Sequence, residues 1–202
     1  MPADSLVLLL HGVGAMGADL APLGRLWGDQ LPDTAFAWPD APYPSDFSSG
    51  RQWFSVANVT PDNRPGRILA ARPAFDAVLS GIIALNGLSG RPERVVLAGF
   101  SQGTIMALDA VASGRWPVAA VLGFSGRLAT PEPLAPAADT RLFLAHGLAD
   151  PVIPAAETEQ AAARLSGMGL DVETRFEDGL GHGISPGSAA RAGAILRDLF
   201  GK

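Results

Sequence analysis

The sequence predicts an α/β fold: a mostly parallel sheet flanked by helices. Short apolar runs suited to strands alternate with stretches whose apolar residues recur at helical spacing, over the whole chain. Glycine-rich turns stand where such runs hand over to helices, at Gly12-Val13-Gly14 and again at Gly99-Phe100-Ser101-Gln102-Gly103. No repeat, low-complexity tract or linker divides the 202 residues, so one domain over 1–202 is expected.

The elements follow in order. Leu6 to Leu10 is wholly apolar, as a strand buried on both faces requires. A helix is expected to begin near Ala18 or Asp19 and to carry Leu20, Leu23, Leu26 and Trp27. Thr34 to Trp38 reads as a second strand. The stretch PDAPYPSDFSSGRQWFS is rich in Pro, Ser and aromatics and must be largely loop, with a short strand at Gln52 to Val56. Phe75, Val78, Leu79 and Ile82 sit at helical spacing, and Asn86-Gly87 ends that helix. Strands are expected at Arg94 to Ala98, Val118 to Phe124, Leu142 to Ala145 and Val172 to Phe176, the last by alternation. A helix carries Ile105, Leu108 and Ala112. Another opens at Pro154, with Glu157 in its first turns facing the positive end of the helix dipole. Ser185-Pro186 starts a final helix with Ala192, Ile195, Leu196 and Leu199 on one stripe.

Composition narrows the function. The chain has net charge −5 and no basic run, which argues against a nucleic-acid partner. There are no cysteines, so disulfides, thiolate metal sites and a cysteine nucleophile are excluded. The Leu6 to Leu10 run is too short to span a bilayer, and no basic segment precedes it. A cytoplasmic protein without a transmembrane segment is the expectation.

The first turn raises a question of its own. Gly12, Gly14 and Gly17 are spaced G-x-G-x-x-G after a strand, which is the dinucleotide-binding fingerprint, and Asp40 stands roughly where a ribose-binding acid would. The competing reading lies downstream. Gly99-Phe100-Ser101-Gln102-Gly103 is G-x-S-x-G between a strand and a helix. There a serine is thrust above the sheet on a tight, strained turn, and the helix N-terminus offers N–H groups to a developing oxyanion. Serine needs a histidine base, and the histidine an acid that fixes its tautomer. Of the three histidines, His11 and His146 precede glycine at strand ends and read as packed, hydrogen-bonded core residues. His182, after the last strand, is the candidate base. Asp150 follows a middle strand and is the candidate acid, preferred to Asp178, which follows the same strand as His182. Each lies beyond a strand's C-terminal end, where open α/β sheets collect their ligand sites.

Six stretches in this order, LLLHGVGAMGADL, PDAPYPSDFSSGRQWF, LAGFSQGTIMAL, GFSGRL, LAHGLADPVIP and GLGHGISP, resemble the carboxylesterase/acyl-protein thioesterase/lysophospholipase family of compact α/β-hydrolases, nearly end to end. The resemblance implies an α/β-hydrolase fold with little or no cap domain and a Ser101, Asp150, His182 triad. It also implies an oxyanion hole from the backbone N–H groups of Val13 and Gln102, and a tendency to form homodimers. The glycine turn would then approach a reacting carbonyl rather than a pyrophosphate. The reaction implied is hydrolysis of a small acyl ester, with thioesters or lysophospholipids as the alternative substrates, and no cofactor or metal. Tyr43, Trp53 and Phe54 are candidate walls for the acyl chain, although Trp53 and Phe54 could equally anchor their loop to the core. The family often carries an acid where Ala15 stands and a glycine where Thr104 stands, which leaves the substrate subgroup open. A non-catalytic or dinucleotide-binding protein on the same scaffold is the alternative of another class.

Overall fold

The computed structural model describes residues 3–201. Six strands, β1 (Ser5–Leu10), β2 (Thr34–Ala37), β5 (Val95–Phe100), β6 (Ala120–Phe124), β7 (Arg141–Gly147) and β8 (Val172–Glu177), form one sheet in the order β2-β1-β5-β6-β7-β8. Every pairing in it is parallel. A separate two-stranded antiparallel ribbon, β3 (Tyr43–Pro44) and β4 (Arg51–Gln52), lies within the aromatic loop. It replaces the longer strand expected at Gln52 to Val56.

Successive side chains of a strand point to opposite faces, and here both faces are apolar. Leu6, Leu8, Leu10, Leu97 and Val121 pack beneath α2 (Arg64–Leu85), α3 (Gln102–Ala112) and α4 (Ala155–Ser166). Val7, Leu9, Val96, Leu122 and Phe143 pack on the other face, against Trp27 of α1 (Ala21–Gly28) and Ala192, Ile195 and Leu196 of α5 (Pro186–Phe200). The helix expected near Ala18 begins as a 3₁₀ turn, Gly17–Leu20, that runs into α1. Ser185 caps α5 by accepting the Ser188 N–H at 2.9 Å, as its sequence suggests.

Helix α2 starts eleven residues before Phe75, the first of its expected apolar residues, and runs for 22 residues. Pro73 stands inside it. It lies on the exposed face, where the carbonyl freed by its missing N–H can turn toward water. By length and composition α2 could cross a membrane. Its stripe of Ile68, Ala71, Phe75, Leu79 and Ile83 is instead buried against the sheet.

The strand order fixes where a ligand can bind. The chain leaves β1 for β2 on one side and returns to β5 on the other. This reversal opens a crevice beyond the C-terminal ends of β1 and β5. The residues that follow those ends are His11-Gly12-Val13 and Ser101.

Candidate active site

Ser101 sits between β5 and α3 with φ 53° and ψ −115°, a left-handed conformation that costs a non-glycine residue about 1–3 kcal/mol. The neighbouring glycines explain how the turn tolerates it. A Cβ at Gly103 would lie 1.9 Å from the Leu10 carbonyl oxygen, and one at Gly99 would lie 2.5 Å from the Thr104 nitrogen. The elbow is therefore pressed against β1 and against its own helix, with the Ser101 N–H donating to the Phe124 oxygen at 2.9 Å. Thr104 stands where the family often has a glycine. Its hydroxyl donates to the Gly99 carbonyl at 2.6 Å, and its methyl fills the space above Gly123 and Gly126.

His182 follows β8, and its Nδ1 lies 2.7 Å from Asp150 Oδ2. Asp150 follows β7, and its side chain is fully buried. Its Oδ1 accepts the N–H groups of Val152 and Ile153 at 2.8 and 3.0 Å. Burial alone would raise this carboxyl, but the His182 bond and the two backbone N–H groups outweigh it, and the group is held below the ordinary carboxylate value. Asp178, the rival acid, is exposed. Ser125, at the end of β6, donates to the Gly183 carbonyl at 3.2 Å and so ties down the loop that carries His182. The ring of Phe100, next to the elbow, lies 5.0 Å from that of His182.

The other two histidines are buried and hydrogen-bonded. His11 Nδ1–H donates to the Gly12 carbonyl at 2.7 Å, and Nε2 accepts the Ala41 N–H at 2.9 Å. Burial first of all holds its pKa below the usual value. His146 is more than a core residue. Its Nε2 faces Asp150 Oδ2 at 3.0 Å and the Ile153 carbonyl at 2.9 Å. Both are acceptors, so this nitrogen carries the proton. Thr158 Oγ1 lies 2.7 Å from Nδ1 and fixes the ring from the other side. Asp150 Oδ2 is thus held between two imidazoles. The only trace of this in the sequence is the four-residue spacing of His146 and Asp150 in HGLAD.

Val13 follows β1 and lines the same pocket as Ser101 and Gln102. Its N–H has no acceptor among the described residues. Gln102 is the first residue of α3, where a backbone N–H has no helical acceptor. The Gln102 side chain was not expected to matter. It accepts the Trp53 N–H at 2.8 Å and donates to the Phe54 carbonyl at 2.8 Å, joining the aromatic loop to the elbow.

This loop decides between two expectations. Trp53 is 1% exposed, its indole N–H donates to the His11 carbonyl at 2.9 Å, and it lines no pocket described here. Its burial and this bond make it an anchor of the loop, the second of the two readings its sequence allows. Phe54 does line the pocket of about 230 Å³ that holds Ser101, with Val56, Val59, Ile105, Val152 and Ile153. Tyr43 lines a neighbouring cavity of about 400 Å³, which shares the Phe54 wall. Asp46 organises the loop from outside: it accepts Gln52 Nε2 at 3.0 Å, Ser55 Oγ at 2.8 Å and the N–H groups of Val56 and Ala57. The Gln52 and Ser55 bonds come first in lowering its pKa from 3.8 to about 2. Its ordering of the loop is therefore complete above the unfolded value and is lost as the pH falls through about 2. Asp46→Asn is expected to speed hydrogen exchange at Val56 and Ala57 at neutral pH. Unchanged protection there would show that Asp46 does not hold the loop.

The glycine turn is used against the elbow. A Cβ at Gly12 would meet the Ser101 Cβ at 3.2 Å. Asp40 accepts the Gly17 N–H at 2.7 Å, so the acid placed where a ribose would lie is spent on the turn itself. Among the described residues no cluster suited to a metal ion occurs.

The model of the phospholipase/carboxylesterase family matches residues 1–197. The chain is 35% identical over 184 residues to esterase YpfH of Escherichia coli, covering 91% of this chain and 78% of that one. It is 27% identical over 216 residues to acyl-protein thioesterase 1 of Gibberella zeae, covering 95% and 88%. The crystal structure of esterase PE8 superposes with a TM-score of 0.87 at 34% identity, covering 98% of this chain and 93% of that one. The chain belongs to the phospholipase/carboxylesterase family and is a hydrolase with the α/β-hydrolase fold.

Proposed function

We propose that the protein is a serine carboxylesterase acting on short- to medium-chain acyl esters through an acyl-enzyme. The observation that carries this reading is the 2.7 Å bond from His182 to the buried Asp150, in a site where Ser101 stands on a strained turn at a helix N-terminus. Ser101 Oγ attacks the ester carbonyl while His182 Nε2 takes its proton. Asp150 holds His182 in the tautomer with Nδ1 protonated and stabilises the imidazolium. The N–H groups of Val13 and Gln102 hold the tetrahedral oxyanion. His182 returns the proton to the leaving alcohol, then activates a water that releases the acid from Ser101. A pocket of about 230 Å³, apolar between Ser101 and the arginines at its wall, suits a short or medium chain. The same groups would open a thioester, and the acyl-protein thioesterase 1 relative supports that as the second substrate class. A cytoplasmic setting is part of the proposal, compatible with a chain that has no cysteine to oxidise.

The test is hydrolysis of p-nitrophenyl esters from acetate to dodecanoate, with and without a fluorophosphonate. Turnover is expected, with a preference for the shorter chains. The fluorophosphonate is expected to abolish it and to leave its mass on the peptide containing Ser101. A modified residue other than Ser101, or turnover that survives complete labelling, would overturn the assignment. Activity confined to acyl thioesters would move the substrate class and leave the nucleophile in place.

A further inference from the structure

The pocket beside Ser101 carries more positive than negative charge. Arg64 and Arg127 both line it. Arg127 pairs with Glu157 at 3.0 Å. The guanidinium of Arg64 makes no hydrogen bond or ion pair among the described residues, although the residue is half-buried. Every other half-buried arginine there has an oxygen acceptor. A partly buried guanidinium that makes no hydrogen bond to the protein has its donors free for a ligand's acceptor.

Its position sharpens the point. Arg64 is the first residue of α2, whose first turn contains no acidic residue. The positive end of that dipole adds to the charge of Arg64 and of Arg127 nearby. Glu157 answers one of the two arginines and leaves the pocket with an excess positive charge beside an otherwise apolar wall. Burial first, and then the like charge of Arg127, weakens the hold of Arg64 on its proton, and the charge of Glu157 offsets part of this. The charge of an anion beside it would oppose both effects.

We propose that the substrate carries an anionic group, a carboxylate or a phosphate, on the part of the ester that lies in this pocket, and that Arg64 binds it. This rests on the esterase reading and narrows it. The apolar residues between Ser101 and Arg64 accept the carbons that separate the scissile carbonyl from the anion. Arg64 is then a specificity residue, and its planar fork suits either carboxylate or phosphate.

The experiment compares matched esters. One pair is p-nitrophenyl hexanoate with mono-p-nitrophenyl adipate, which differ by the terminal carboxylate. The other is hexanoyl glycerol with hexanoyl glycerol 3-phosphate, which differ by the phosphate. The wild type should favour the anionic member of at least one pair in kcat/KM, and the pair concerned identifies the anion. Arg64→Met should lower that anionic-to-neutral ratio about 10- to 100-fold, and Arg64→Lys should lower it less. No preference in either pair, or a preference that survives Arg64→Met, overturns the inference while leaving the esterase reading intact. If no ester is turned over, that reading fails, and calorimetry with adipate and with inorganic phosphate still decides the anion site. Binding by the wild type that is lost in Arg64→Met upholds it, and equal binding or none overturns it. Arg64→Met should fold normally, because the side chain makes no hydrogen bond to lose.

Discussion

Asp150→Asn is expected to lower kcat by about 10⁴-fold and also to weaken the fold, because neither orientation of an amide fits the site. Oδ1 accepts two N–H groups, from Val152 and Ile153. Oδ2 faces two more donors, the Nδ1–H of His182 and the Nε2–H of His146. An amide offers one oxygen. If it faces the histidines, the NH₂ points at two backbone N–H groups. If it faces the backbone, the NH₂ points at the histidines, and His182 is driven to the tautomer that cannot take a proton from Ser101. Either way buried donors are left unsatisfied, at about 1–3 kcal/mol each. Steady-state kinetics and thermal unfolding of the variant check both parts. A kcat within tenfold of wild type would show that another group orients His182, and Asp178→Asn, expected to be near neutral, is the control. The pH dependence has a definite sign. Because the folded carboxyl is held below its ordinary value of 3.8, its stabilising contribution is complete above that value and is lost as the pH falls through the lowered one. The Asn variant lacks this contribution, so its stability should fall less steeply in that acid range.

Much of this site is legible in the sequence, for a physical reason. Gly99 and Gly103 are there because backbone comes within 2.5 Å of where their Cβ atoms would be, and such a demand leaves a one-letter mark. The order of Ser101, Asp150 and His182 is likewise set by which strand ends neighbour one another in a parallel sheet. What the sequence hides are side chains whose roles depend on packing between distant segments. Gln102 reads as a backbone donor, yet its amide grips Trp53 and Phe54, some fifty residues earlier in the chain. His146 reads as core, yet it touches the oxygen that orients His182. Trp53 reads equally as an acyl wall or as an anchor for its loop, and only its bond to the His11 carbonyl shows it turned inward. The first eleven residues of α2 lie ahead of the apolar spacing that begins at Phe75 and include Pro73, whose cost in a helix depends on whether the carbonyl it frees can reach water.

A second hidden feature carries a large effect on stability. Helix α3 has every residue from Gln102 to Ala112 buried, and one of them is Asp109. Its side chain has no exposure at all. Arg72 of α2 grips it through two bonds at 2.9 and 2.8 Å, and Arg115 donates to it at 3.0 Å. Arg115 continues to Asp76, which also accepts the Trp116 indole N–H at 2.7 Å. Asp109→Ala leaves two largely buried guanidinium groups facing a void, the case in which breaking a buried pair costs about 3–5 kcal/mol. For a chain of this size that lowers the thermal midpoint by roughly 10 °C. Because the network is formed by side chains on α2, α3 and the turn that follows, replacing its core together should cost less than the single changes added up. Asp109→Leu with Arg72→Met is expected to be less destabilised than the sum of the two single variants, as measured by denaturant unfolding. Strict additivity would mean that the two residues contribute independently and that the pairing seen here has no energetic weight. The network lies two turns along the helix from Ser101, so it sets where α3 rests on the sheet without touching the reacting groups. Well below its midpoint, Asp109→Ala should therefore keep kcat within about tenfold of wild type, and a larger loss would mean that these ion pairs also hold the elbow in register.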